Sequence, residues 1–194
     1  MKHCSRCVMP ETSETLAFDG AGVCTVCQQV EFKQTGIDWH AKKIEFEKLV
    51  EEVRGKHCYD CIVPFSGGKD STYTLWYLVK ELGLKPLVVR FDHGFMRSTL
   101  NENNVRTFRA LGCDVVTFTP NWQVVRKLMF EALRRRADFC WHCHTGIFAY
   151  PMRIAVEKQV PLVIWGEPSA EYASFYGYDE DEEVDERRFN TLVN

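Results

Sequence analysis

From Cys61 onward the chain alternates two patterns of apolar residues. Short runs such as "CIVPF", "PLVVRF", "DVVTFT" and "PLVIW" are largely apolar at successive positions, as in strands buried on both faces. Between them, apolar residues recur every three or four positions, the period of a helix with one buried stripe. The pattern predicts strands at 61–65, 86–91, 114–119 and 161–165. The helices between them run from about Ser71 to Leu82, stopped by Gly83; from about Leu100 to Leu111, stopped by Gly112; and from about Trp122 to Arg136. A further helical stretch is interrupted early by Pro151. Upstream, "DWHAKKIEFEKLVEEVRG" reads as a helix capped by Asp38 and stopped by Gly55.

Strands of this kind alternating with amphipathic helices predict an α/β fold, a parallel sheet with helices on both faces. The expected organisation is a small module at 1–35, a linker helix at 36–57 and the α/β domain at 58–194. There is no internal repeat. A length of 194 residues, 45% of them hydrophobic, suits one substantial core and a small appended module. A formal charge of −3 gives no general reason to expect a nucleic-acid partner. No basic start leads into an apolar segment and no apolar run approaches about 18 residues, so a cytoplasmic protein without membrane association is expected.

Nine cysteines in such a chain argue for metal binding or catalysis over disulfides. Cys4-x2-Cys7 and Cys24-x2-Cys27 have the spacing of two knuckles closing on one tetrahedral Zn2+, and four thiolates complete the shell without His3 or His40. Cys58 and Cys61 share that spacing but enter a strand, where residues three apart face opposite ways, so they read as packing residues. Cys140-Trp141-His142-Cys143-His144 has the spelling of a haem attachment site, which the absence of a secretion signal disfavours. A metal or iron–sulfur cluster ligand pair, a redox pair and two structural thiols all remain open for Cys140 and Cys143.

The loop Ser66-Gly67-Gly68-Lys69-Asp70-Ser71 joins the first predicted strand to the first helix, where open α/β sheets bind ligands. Two glycines let the backbone approach phosphate oxygens, Ser66 and Ser71 offer hydroxyls, Lys69 adds positive charge, and the helix brings its positive end. Asp70 repels phosphate unless Mg2+ lies between them, which points to a metal-bound nucleotide. The spacing is not that of a Walker loop. Asp92, His93 and Gly94 follow the second strand at the same sheet edge, near the nucleotide or its magnesium, although a capping Asp and a turn Gly would serve the loop alone. Gly166 and Glu167 follow the fourth strand, where Glu167 binds substrate or magnesium or is an exposed loop carboxylate.

"SGGKDS" resembles the signature of the ATP-pyrophosphatase (PP-loop) superfamily, whose Rossmann-like members attach AMP to a substrate oxygen and release pyrophosphate held by the loop. Taken with "CSRCVMPETSETLAFDGAGVCTVC", "RFDHGFMRSTLNENN", "FCWHCHTGIFAYP" and "WGEPSAEY", the chain is similar to the N-acetyl sugar amidotransferases of surface-polysaccharide synthesis. That resemblance implies ATP-dependent conversion of the acetamido group of a UDP-linked N-acetyl sugar, a uronic acid, to an acetamidine in O-antigen lipopolysaccharide synthesis. Ammonia would come from a partner glutaminase. Ser66, Lys69, Asp70 and Ser71 would serve the chemistry, and a homo-oligomer stays open. Such enzymes are longer than this chain, so a C-terminal portion is expected to be lacking.

Two charge runs complete the picture. Arg134-Arg135-Arg136 reads as a solvated helix end or as a clamp for an acidic UDP-sugar, and seven of the eight residues 179–186 are acidic, which disfavours RNA. The alternative is a tRNA-thiolating PP-loop enzyme with a zinc ribbon and an iron–sulfur cluster at the central Cys pair. A zinc-ribbon adaptor without catalysis would leave "SGGKDS" and "FDHGF" unexplained.

Overall fold

The computed structural model describes residues 1–12 and 16–167. They fall into two compact units, one of residues 1–47 with Glu167, the other of residues 48–166. The acidic run at 179–186, with the end of "WGEPSAEY", lies outside the described residues.

In the first unit, antiparallel bridges His3–Pro10 and Phe18–Cys24 shape two short loops. Helix α1 (Thr25–Thr35) follows the second loop, with Cys24 at its N-cap and Cys27 in its first turn, so a helix occupies ground the spacing alone had assigned to a knuckle. It ends at Gly36, whose N–H returns to the Phe32 carbonyl (2.8 Å). Helix α2 (Trp39–Val53) begins where expected because Asp38 Oδ1 accepts from the His40 and Ala41 N–H groups, both at 3.0 Å.

The second unit is an α/β layer structure. Strands β1 (Cys61–Pro64), β2 (Pro86–Phe91) and β3 (Asp114–Phe118) form a parallel sheet in the order β1-β2-β3. Ile62 pairs with Leu87 and Val63 with Val88, so alternate residues of both strands are sorted to the same faces. On one face, helix α6 (Trp141–Lys158) brings Ile154 and Ala155 against Ile62, Leu87 and Val89, with Val160 closing the cluster. On the other, helix α4 (Ser98–Leu111) lays Phe108 edge-on to Phe65 at 4.8 Å. Helix α3 (Lys69–Trp76) contacts β1 and buries Leu75. It starts two residues before the predicted Ser71 and passes into a π-helical turn, Tyr77–Glu81, where the Leu82 N–H reaches the Tyr77 carbonyl at 3.1 Å. Helix α5 (Trp122–Arg136) matches the expectation.

Two expectations are corrected. The run 161–165 is not a fourth strand but makes a single parallel bridge, Val163 to Ile62, through Ile62 N–H to Leu162 C=O (2.8 Å) and Ile164 N–H to Ile62 C=O (2.9 Å). In a parallel ladder the next rung would need the N–H of residue 64, and Pro64 has none. The second correction is Pro151, which sits inside α6 without ending it. Proline in a helix interior costs about 3 kcal/mol, and the apolar burial of α6 on the sheet, with Pro151 itself buried, outweighs it.

Candidate functional site

The first unit gathers a metal-binding group. The ligand atoms of Cys4, Cys7, Cys24 and Cys27 all lie within 4.8 Å of one another, and His3 and His40 stay outside the group. Cys4 Sγ is 3.9 Å from Cys27 Sγ, and Cys7 Sγ is 3.6 Å from Cys24 Sγ. A tetrahedron with Zn–S near 2.3 Å requires S···S of about 3.8 Å, so the four sulfurs stand close to the positions a zinc ion would need. The Arg6 and Cys24 N–H groups point at Cys4 Sγ at 3.4 and 3.3 Å. Burial pushes the Cys4 thiol up, but donors from the Cys7, Cys24 and Arg6 backbone outweigh it and bring it down to about 6. Cys27 is pushed up to about 12, first by its contact with Cys7, then by burial and the remaining thiols. Four thiolates at this spacing would repel one another, and a cation among them would offset that repulsion.

The second candidate site lies at the carboxyl end of β1. Gly67 holds φ +85°, and a side-chain carbon there would meet the Asn104 carboxamide, 2.6 Å from Nδ2 and 2.9 Å from Oδ1. Gly68 caps α3, and its carbonyl accepts from Thr72 N–H (3.1 Å), Thr72 Oγ1 (2.7 Å) and Ser71 Oγ (3.3 Å). Ser66 Oγ lies 3.1 Å from Ser71 Oγ and accepts from Gly68 N–H at 3.3 Å. The loop therefore turns on itself over the start of α3, where N–H groups and the helix dipole favour an anion. Lys69 Nζ donates to both oxygens of Asp70 at 2.6 and 2.7 Å. Because Lys69 is 88% exposed, that pair is weak enough to exchange for a phosphate or a cation. A side-chain carbon at Gly166 would stand 3.1 Å from Ser71 N and Cα, so glycine lets this segment lie close against the loop without displacing its backbone. Glu167 groups with the first unit.

Asp92, His93 and Gly94 follow β2 at the same sheet edge. Asp92 Oδ1 accepts from Gly94 N–H (3.0 Å), Oδ2 from Thr119 Oγ1 (3.4 Å), and Gly94 has φ +82°. The turn-forming part of the expectation is thus visible in the hydrogen bonds. His93 Nδ1 accepts from Phe95 N–H at 3.1 Å, leaving Nε2 as the proton-bearing nitrogen of the neutral ring.

Cys140 caps α6 and Cys143 is buried one turn later. Burial, then the neighbouring Cys140, pushes the Cys143 thiol up to about 12. Among the described residues, no third His, Cys or carboxylate joins this pair as a metal group. His142 between them is buried, and burial draws its pKa down against an opposing contact with the Phe139 backbone. Arg134 and Arg135 both pair with Glu131 on their own helix, at 2.8 and 2.9 Å, which is the solvated helix end of the two expectations.

Sequence reasoning missed Asn104, which is 1% exposed with no partner for Oδ1. The available signal was a polar residue in the apolar stripe Leu100, Asn104, Phe108, Leu111 of α4. It also missed Arg90, which places Nη2 on Asn101 Oδ1 (2.9 Å) and Met96 Sδ (3.2 Å) behind the same loop.

No family model matches the chain. It is 26% identical over 167 residues to an uncharacterized protein of Methanocaldococcus jannaschii, covering 84% of this chain and 58% of that one. It is 33% identical over 85 residues to a glutamine-hydrolyzing GMP synthase of Pyrobaculum aerophilum, covering 43% of this chain and 17% of the synthase. The chain therefore spans little more than half of the first of these relatives and a small part of the second. A crystal structure described as that of a predicted subunit of tRNA methyltransferase from M. jannaschii aligns with TM-score 0.34 at 22% identity, over 62% of this chain and 58% of that one. No helix among the described residues is long and apolar enough to cross a membrane.

Proposed function

We propose that the chain carries the ATP-splitting site of an amidotransferase that converts the acetamido group of a UDP-linked N-acetyl sugar to an acetamidine. The observation that carries the reading is the loop 66–71, with Gly67 at φ +85°, paired Ser66 and Ser71 hydroxyls, and a helix starting at Lys69. An acetamido carbonyl is a poor electrophile. Its oxygen attacks the α-phosphorus of ATP, the bond to the β-phosphate breaks, and pyrophosphate leaves toward the loop. Ammonia then adds to the activated carbon, loses a proton, and AMP departs to leave the amidine. The loop N–H groups, the two hydroxyls and Lys69 receive charge as it develops on pyrophosphate, which is where stabilisation accelerates the step. Asp70 would hold Mg2+, which when bound offsets the charge between carboxylate and phosphate. Asp92, His93 and Gly94 would line the adenosine side, and Gly166 the acceptor side. Nitrogen would come from a glutaminase partner, a division of labour consistent with the glutamine-hydrolyzing name of the synthase relative. The product would feed lipopolysaccharide O-antigen or other surface-polysaccharide assembly. Zn2+ at Cys4, Cys7, Cys24 and Cys27 is structural in this reading.

Incubation with ATP, ammonium and candidate UDP-acetamido sugars should yield AMP, pyrophosphate and an acceptor lighter by about one mass unit, the exchange of O for NH. ADP as the stoichiometric product, or sulfur transfer to tRNA in place of nitrogen transfer to a sugar, would overturn it.

A further inference from the structure

Three aromatic rings stand half exposed beside the Asp92–Gly94 loop: Phe95 at 47%, Trp122 at 52% and Phe139 at 49%. They come from three separate segments, the loop after β2, the start of α5 and the turn between α5 and α6. The Trp122 and Phe95 ring centroids are 5.9 Å apart with planes 73° apart, and Phe139 and Phe95 are 6.4 Å apart at 85°. Trp122 and Phe139 thus stand nearly upright to the plane of Phe95, whose flank is stacked with His93 at 5.9 Å and 21°. A side-chain carbon at Gly94 would meet the Trp122 ring at 3.5 Å, an ordinary packing distance, so the loop and the ring already lie side by side and it is φ +82° that favours glycine there. Rings left half in water by three converging segments have apolar surface still to bury, and a flat guest can take it up.

Charge narrows the guest. Arg97 follows Phe95 by two residues, and Arg126 lies one helical turn after Trp122 on the same stripe of α5. Neither forms an ion pair among the described residues, in contrast to Arg134, Arg135 and Arg153. The phosphates of ATP are already provided for at the loop 66–71, so a second group of cations beside flat rings suits a second nucleotide. We propose that Phe95, Trp122 and Phe139, with Arg97 and Arg126, form the subsite for the uridine diphosphate part of the acceptor, the uracil stacking on the rings and the diphosphate meeting the two arginines. This rests on the nucleotide-linked acceptor of the proposed function and assigns its recognition to residues distinct from the ATP loop.

UDP alone is the probe, with ATP binding as the control for folding. Binding to the whole chain is measured by calorimetry and by the share of tryptophan fluorescence quenching that Trp122→Phe removes. Loss of one base stack is worth about ten- to hundredfold in affinity. Trp122→Ala should therefore weaken UDP by that factor and leave ATP unchanged, whereas Trp122→Phe should stay within a few-fold of wild type. Arg126→Gln should weaken UDP more than uridine. No UDP binding by the wild-type chain, an unchanged UDP affinity in Trp122→Ala, or loss of ATP instead of UDP would overturn the proposal. Loss of self-association with UDP affinity retained would equally overturn it, marking the rings as a contact between copies. UDP bound through the rings by a protein that forms no AMP with acetamido sugars would sink the proposed reaction and leave this subsite standing. Amidine formation with a sugar-nucleotide KM unmoved by Trp122→Ala would do the reverse.

Discussion

Replacing Gly67 by alanine puts one methyl group where the structure leaves no room and no permitted backbone. At φ +85° an L-residue gives up about 1–2 kcal/mol for the left-handed conformation. The new carbon would also stand 2.6 Å from Asn104 Nδ2. Asn104 cannot swing into solvent, being 1% exposed with its amide against Met96 Sδ at 3.5 Å, so the contact adds a further overpacking cost of about 1–3 kcal/mol. The sum, roughly 2–5 kcal/mol, corresponds to a fall in Tm of roughly 6–15 °C for a domain of this size, provided the loop keeps its shape. Should the loop yield instead, the same energy appears as weakened pyrophosphate binding by at least about thirtyfold. Thermal melts with and without pyrophosphate, together with calorimetric titration, read both routes. The Gly67→Ala/Asn104→Ala pair should recover the overpacking share but not the backbone share, giving a favourable coupling of roughly 1–3 kcal/mol. A Gly67→Ala protein with wild-type Tm and wild-type pyrophosphate affinity would refute the reasoning, and absence of any recovery in the pair would remove Asn104 as its cause.

The four N-terminal cysteines should hold one zinc per chain, and Cys4→Ser or Cys24→Ser should lower zinc content measured by elemental analysis; unaltered zinc in both variants would defeat the assignment. Burial pushes the Cys61 thiol up to about 12 from an ordinary value near 9, so above pH 9 the unfolded chain ionises there while the native one does not. Stability from this group is fully present below pH 9 and is lost as pH rises toward 12; the decline of Tm over that range should be shallower in Cys61→Ala, and identical slopes would show that Cys61 does not contribute.

The order of elements in the second unit was legible in the sequence because it depends on local pattern, apolar runs for β1 to β3 and a three-to-four period for α3 to α6. So was the placement of Ser66 to Ser71 between strand and helix, since glycines and serines there act through their own backbone. The paired spacing of Cys4, Cys7, Cys24 and Cys27 was legible for the same reason, each pair lying within four consecutive residues, although a helix start and not a second knuckle carries Cys24 and Cys27. Tertiary structure alone decided what long-range contact determines. Pro64 denied 161–165 a second rung on β1, and burial of α6 carried the helix through Pro151. Asn104 came to rest under Gly67, thirty-seven positions away, and Gly166 against Ser71, ninety-five positions away. The rings of Phe95, Trp122 and Phe139 met across three segments. A local pattern states which face of an element is apolar; which residue of another element will press on that face is settled only when the layers pack, because close packing admits few partners for each surface.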